Sequence, residues 1–222
     1  MDINGDNKLD IVSGGAEGLV YTANATEDGQ FTKPEPLKDK AGKHIGLGEY
    51  FDAKLDKWQK HTSFQHIDVA LHPVAVDWDN DGDLDLLLSG HSGLVAIRLN
   101  EGTAQKAEYA EKNTYITIGD STLSLGKGTN ARYVDWDGDG LNDLVCGVSQ
   151  IGVVWFKNKG SKSQPSFEEP RALVSVSKEN ADDPYGNITA EVTDLNGDGK
   201  KDLLVGAVSS GKKDKVWLYY QK

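Results

Sequence analysis

A nine-residue acidic loop recurs four times in this chain, beginning at Asp2, Asp77, Asp135 and Asp194. The clearest copy reads Asp77-Trp78-Asp79-Asn80-Asp81-Gly82-Asp83-Leu84-Asp85 and runs directly into Leu86-Leu87-Leu88. Successive copies start 75, 58 and 59 residues apart, which sets a unit of about 58 residues with one unit enlarged. Such a period points to a repeat architecture, in which a unit cannot bury its apolar face alone and stacks on its neighbours.

Each loop is followed by a short β-rich run stopped by glycine: Ile11–Gly14, Leu86–Gly90, Leu144–Gly147 and Leu203–Gly206. A second strand is expected at Leu19–Ala23, Leu94–Leu99, Val153–Lys157 and Val216–Tyr220, and two of these end in matching turns, Asn100-Glu101-Gly102 and Asn158-Lys159-Gly160. A weaker strand follows at Tyr115–Ile118 and Ala172–Val176, and another leads into the next loop at Val74–Val76, Arg132–Val134 and Thr189–Val192. No helical periodicity is sustained outside residues 38–71. Four short strands per unit predict an all-β fold of β-propeller blades, each a four-stranded antiparallel sheet, set radially about a channel. A β-sandwich also has many short strands, but it does not account for the regular return of the loop.

The units span approximately 1–37, 72–126, 127–180 and 187–222 of a single propeller region, with 38–71 as an insertion. The first lacks a strand before its loop and the fourth lacks an outer strand, so two complete units are flanked by two partial ones. Met1 stands directly before the first loop, with no secretory leader pattern. This order of elements leads us to expect a segment of a larger propeller; four blades closing on themselves is the alternative.

The loops have the chemistry of a hard-cation site. Position 1 is Asp2, Asp77, Asp135 or Asp194; position 5 is Asp6, Asp81, Asp139 or Asp198; position 9 is Asp10, Asp85, Asp143 or Asp202. Position 3 is Asn4, Asp79, Asp137 or Asn196, where Asn keeps an oxygen and removes a charge. Position 7 is Lys8, Asp83, Leu141 or Lys200, a variety that suits a ligand offered by the backbone carbonyl and leaves the Asp83 carboxylate spare. Position 6 is Asn7, Gly82, Gly140 or Gly199, residues that tolerate positive φ. Ca²⁺ takes roughly six to eight oxygens, so up to four calcium ions are expected; Mg²⁺, which holds to an octahedron and keeps its waters, is less suited. An EF-hand requires a bidentate Glu at position 12, where this chain has Ser13, Leu88, Cys146 and Val205. Four copies with carboxylate at positions 1, 5 and 9 also argue against plain turns. Fourteen of the 35 acidic residues lie at positions 1, 3, 5 and 9, and four divalent ions would bring the formal charge from −11 to −3.

The pattern Asp-x-Asp/Asn-x-Asp-Gly-x-x-Asp, followed by an apolar strand and Gly, resembles the FG-GAP/VCBS repeat of integrin-α-like propellers and many secreted bacterial proteins. Val-Asp-Trp-Asp-x-Asp-Gly, at Val76–Gly82 and Val134–Gly140, is similar to the bacterial members. The resemblance implies calcium-binding blades, seven to a full ring, an extracellular or cell-surface location, and a binding or adhesion role toward protein or carbohydrate. Its enzymatic alternative is part of a calcium-dependent, lyase-like enzyme acting on polysaccharides.

The acidic balance excludes a nucleic-acid partner, which needs a basic face, and no apolar run is long enough for a membrane-spanning helix. Open blade edges allow self-association. No residue is assigned a catalytic role: Gly-x-Ser-x-Gly, phosphate-loop and dinucleotide patterns are missing. Cys146 lies in an apolar strand and reads as core. The insertion and its border carry His44, His61, His66 and His72 together with Tyr50, Phe51 and Trp58, which suits either a packed surface loop or a ligand loop. Trp155, Trp217, Tyr219 and Tyr220 fit blade packing or sugar stacking, and Trp78 and Trp136 are expected between blades.

Overall fold

The apolar runs behind the acidic loops become strands of antiparallel sheets, the first strand in sheet one and the second in the other three. The computed structural model describes residues 1–15, 18–47, 49–52, 57–60, 70–126, 128–177, 179, 183–208 and 215–222. Sheet one comprises β1 (Ile11–Gly14), β2 (Val20–Ala23) and β3 (Glu35–Pro36). A hairpin of β4 (Glu49–Asp52) and β5 (Lys57–Lys60) follows, with Phe51 opposite Trp58. Sheet two runs in order through β6 (His72–Val76), β7 (Asp85–Ser89), β8 (Val95–Arg98) and β9 (Thr114–Tyr115). The small hairpin of β10 (Thr117–Ile118) and β11 (Ser121–Thr122) leads to sheet three: β12 (Thr129–Val134), β13 (Asp143–Val148), β14 (Gly152–Phe156) and β15 (Arg171–Ser175). Sheet four has β16 (Asn187–Thr193), β17 (Asp202–Val208) and β18 (Lys215–Tyr219). The two middle sheets are thus complete four-stranded meanders and the outer two have three strands. The described residues contain no helix, and none long and apolar enough to cross a membrane.

Strand alternation explains how the sheets stack. Leu86 and Leu88 on β7 point toward sheet one, where they meet Val20, Ile45 and Leu47. Leu87 points the other way and meets Leu144, Cys146 and Phe156 of sheet three. Val145 on β13 faces Ile188, Leu203 and Val205 of sheet four. Three apolar layers therefore lie between four successive sheets, as in consecutive propeller blades, and a fully buried Leu or Val in such a layer contributes about 1.5–3 kcal/mol. At the two ends of the stack the corresponding faces are open, with Ile11 45% and Leu218 50% exposed.

Trp78 and Trp136 do pack between sheets, Trp78 against Tyr133 at a centroid distance of 4.7 Å. Trp217 and Tyr219 pack against the last core layer, whereas Tyr220 is exposed. Cys146 is wholly buried, and burial pushes its thiol up to about 12. Where β16 crosses Gly147, a Cβ would come within 2.9 Å of the Ala190 nitrogen, so the sheets approach too closely for a side chain there.

Residues 38–47, which the sequence reading groups with the insertion, pair back onto sheet one. Ile45 N–H donates to the Leu37 carbonyl and Val20 N–H to the Ile45 carbonyl, each at 2.9 Å. Leu123 N–H donates to Ile116 in the same manner in unit two, so the segment is a regular blade element and unit one extends to Leu47. Its Asp39 lies 3.8 Å from the buried Arg98 of sheet two. His44 is exposed, His72 opens β6, and His61 and His66 lie outside the described residues.

Candidate metal centre

The second, third and fourth acidic loops are the hairpin connections between the first two strands of their sheets, closed by the pairs Val76–Asp85, Val134–Asp143 and Thr193–Asp202, and the first loop leads directly into β1. Positions 4 and 6 take positive φ in every copy: Gly5 and Asn7, Asn80 and Gly82, Gly138 and Gly140, Gly197 and Gly199, with values from 61° to 93°. That double left-handed bend accounts for the Gly/Asn restriction at both positions, at position 4 as well as at position 6.

The bend turns backbone N–H groups inward onto the position-1 carboxylate. Asp135 accepts from Gly138, Asp139 and Gly140 at 2.8–3.1 Å; Asp194 accepts from Gly197, Asp198 and Gly199; Asp2 accepts from Asp6 and Asn7; and Asp77 accepts from Asp81. The amide of Gly199, with those of Gly197 and Asp198, holds the Asp194 carboxyl below the ordinary range. Position 5 anchors position 7: Asp6, Asp81, Asp139 and Asp198 accept the N–H of Lys8, Asp83, Leu141 and Lys200 at 2.8–3.0 Å. At position 3, Asn4 and Asn196 accept the N–H of Asp6 and Asp198.

Position 9 has a structural task that spacing alone does not reveal. Its Oδ2 accepts the N–H of position 2, Ile3, Trp78, Trp136 or Leu195. Its Oδ1 accepts an N–H from just beyond β2, β8, β14 or β18, that of Ala25, Asn100, Asn158 or Gln221, at 2.7–2.8 Å. Asp10, Asp85, Asp143 and Asp202 are all buried, so each locks its loop to the sheet. The turn residues Asn100 and Asn158 extend the lock, their side-chain oxygens accepting the N–H groups of Gly102 and Gly160.

The loops differ in what they gather. Among the described residues, carboxylate oxygens lie within 4.8 Å of one another in two clusters, Asp77, Asp79 and Asp81, and Asp135, Asp137 and Asp143. In the second loop, Asp79 Oδ1 and Asp83 Oδ1 are buried with no hydrogen-bond partner. Asp83, expected to be spare, is only 4% exposed. Burial and the charges of Asp81, Asp79 and Asp77 push its carboxyl up to about 6, and burial takes Asp85 to about 6 as well. Desolvated carboxylates with orphaned oxygens and, among the described residues, no ion pair to a cationic side chain fit a hard divalent cation. The residues that would hold it are Asp77, Asp79 and Asp81, with the Asp83 carboxylate beside them.

In the third loop the same space is shared with a lysine. Lys157, at the end of β14, forms ion pairs with Asp137 and, at 2.6 Å, with Asp139. This ammonium, first through its hydrogen bond, holds the Asp139 carboxyl low. The partner loop residues carry no trace of Lys157 in their own spacing; the only sequence signal is a charged residue closing an apolar strand.

A cleft of about 330 Å³ opens between the second and third loops, lined by Asp77, Asn80, Tyr133, Asp135, Asn142 and Lys162. Comparison with known proteins bears on this arrangement. The family model described as FG-GAP-like repeat matches twice, over residues 77–146 and 135–205, together more than half of the chain. Both matches begin at position 1 of a loop and extend through the next loop into the strand behind it. No curated protein matches the sequence.

Proposed function

This chain belongs to the FG-GAP-like repeat family, and from that premise we propose a calcium-stabilised propeller module that binds a protein or carbohydrate ligand outside the cell. The metal reading is carried by the second loop, where Asp79 and Asp83 each bury an unpartnered oxygen. Calcium there supplies positive charge to a desolvated carboxylate set, a structural service. The chain's own residues supply the rest: the double bend aims the amides inward, and Asp85 ties the loop to Asn100. Ligand contact is assigned to the loop rim, where the cleft between loops two and three presents carboxylates, amides, the Tyr133 ring and the Lys162 ammonium within one polar concavity. Such a surface suits hydroxyl-rich or mixed-charge partners.

Thermal unfolding in calcium and in EDTA tests the metal reading. Saturation at a hundred times Kd stabilises by about 2.7 kcal/mol per site, so the midpoint is expected to fall in EDTA and recover with calcium. Asp77→Asn with Asp81→Asn is expected to remove much of that response. Equal midpoints in EDTA and calcium would overturn the reading. Titration of the calcium-loaded chain with neutral and acidic oligosaccharides, beside Lys162→Ala, tests the rim; an unchanged affinity in the variant would remove the cleft from the ligand site.

A further inference from the structure

Lys157 separates the third loop from the second. Its equivalents, the residues just before the N–H donors to position 9, are Asn24, Leu99 and Tyr220. No other unit puts a cation there. The Lys157 side chain is 13% exposed, pairs with Asp137 and Asp139, and lies 5.9 Å from the centre of the Trp155 ring. Arg171 covers the same ring at 5.3 Å, so the lysine stem is held against an aromatic wall. Asp79, the equivalent of Asp137, has an unpartnered buried oxygen instead.

We propose that Lys157 is a tethered cation that occupies the third loop in place of a divalent ion, making the loops unequal: the second loads readily, the third only when the lysine is displaced. A lysine ammonium is a compact point charge with three donors on a flexible stem. It can neutralise two carboxylates without an external ion, and a divalent cation cannot share the position with it because like charges repel at that range. The third blade would then keep its loop closed when calcium is scarce, and the second would respond to calcium. The inference rests on the metal reading above and adds an order of loading and the residue that sets it.

Terbium luminescence provides the test, with Trp78 and Trp136 at position 2 of the second and third loops as sensitisers. In a background of Asp77→Asn and Asp81→Asn, with Asp6→Asn and Asp198→Asn in the outer loops, the remaining signal reports the third loop. Lys157→Gln in that background is expected to tighten terbium binding, and calcium competition, at least tenfold. Unchanged or weaker binding would overturn the role of Lys157 while leaving the metal reading intact, provided the unaltered chain loads its second loop. A chain with no sensitised binding at all would overturn both. Amine acetylation of the unaltered chain is independent of variant folding. Lys157 is expected to be protected in EDTA relative to Lys159, whose side chain is 53% exposed, and to become labelled only at calcium concentrations above those that fill the second loop. Equal labelling of Lys157 and Lys159 in EDTA would overturn the proposal.

Discussion

Asp85 Oδ1 accepts the main-chain N–H of Asn100 at 2.7 Å, while Asp85 Oδ2 accepts that of Trp78 at 2.9 Å. One buried carboxylate thus joins the start of the loop, the start of β7 and the end of the third strand. Asp85→Asn keeps the shape but replaces one acceptor with a donor facing an N–H. A buried donor left unmet costs about 1–3 kcal/mol. Urea unfolding is expected to register that loss in EDTA as well as in calcium, because the lock uses no ion. An Asp85→Asn chain as stable as the parent in EDTA would show that position 9 acts only through metal.

The metal-free chain is expected to gain stability as it is mildly acidified. Asp83 and Asp85 are pushed up to about 6 in the folded state by burial, with neighbouring carboxylates adding to the rise, against roughly 3.9 for an unfolded Asp. Between these values the native chain binds more protons than the unfolded one, so their contribution improves as pH falls from about 6 toward 4. Calcium favours the ionised carboxylates and should flatten or reverse this slope. Urea midpoints from pH 7 to pH 4.5, in EDTA and in calcium, measure the difference; parallel profiles would contradict it.

The acidic loops were legible because their oxygens sit at fixed offsets within nine residues, and the strands behind them because β7 and β13 are apolar on both faces. What stayed hidden depends on register between distant strands. Lys157 meets Asp137 because of how β13 and β14 pair, a relation across 20 residues. The burial of Asp83 follows from its packing in the loop, and its identity as the variable position 7 pointed the other way. Residues 38–47 read as insertion because their only large apolar side chains are Ile45 and Leu47, both of which are buried.

Neighbouring blades are also stitched by polar groups. The Asn130 side chain accepts the Ala190 N–H at 2.9 Å and donates to the Ala190 carbonyl at 3.1 Å, with Asn130 only 1% exposed. Asn130→Ala leaves both backbone groups of Ala190 without these partners in the apolar layer between sheets three and four. A loss of about 1–3 kcal/mol is expected, seen as a lower urea midpoint. Asn130→Asp should not rescue it, since an ionised carboxylate can accept the N–H but repels the carbonyl.

Leu87 and Leu218 give the sharpest contrast in packing. Leu87 is wholly buried between sheets two and three, whereas Leu218 lies half exposed on the open face of sheet four. Leu87→Ala is expected to cost about 2–5 kcal/mol through lost transfer energy and the cavity left behind. Leu218→Ala should stay within about 0.5 kcal/mol, as for surface substitutions. Because the inward face of the same sheet, through Leu203 and Val205, packs as the other blades do, the outward face has the strand geometry to receive another sheet. A Leu218→Ala cost that approaches the Leu87→Ala cost and grows with protein concentration would mean that a second copy covers this face in solution; a small, concentration-independent cost would mean that it stays open.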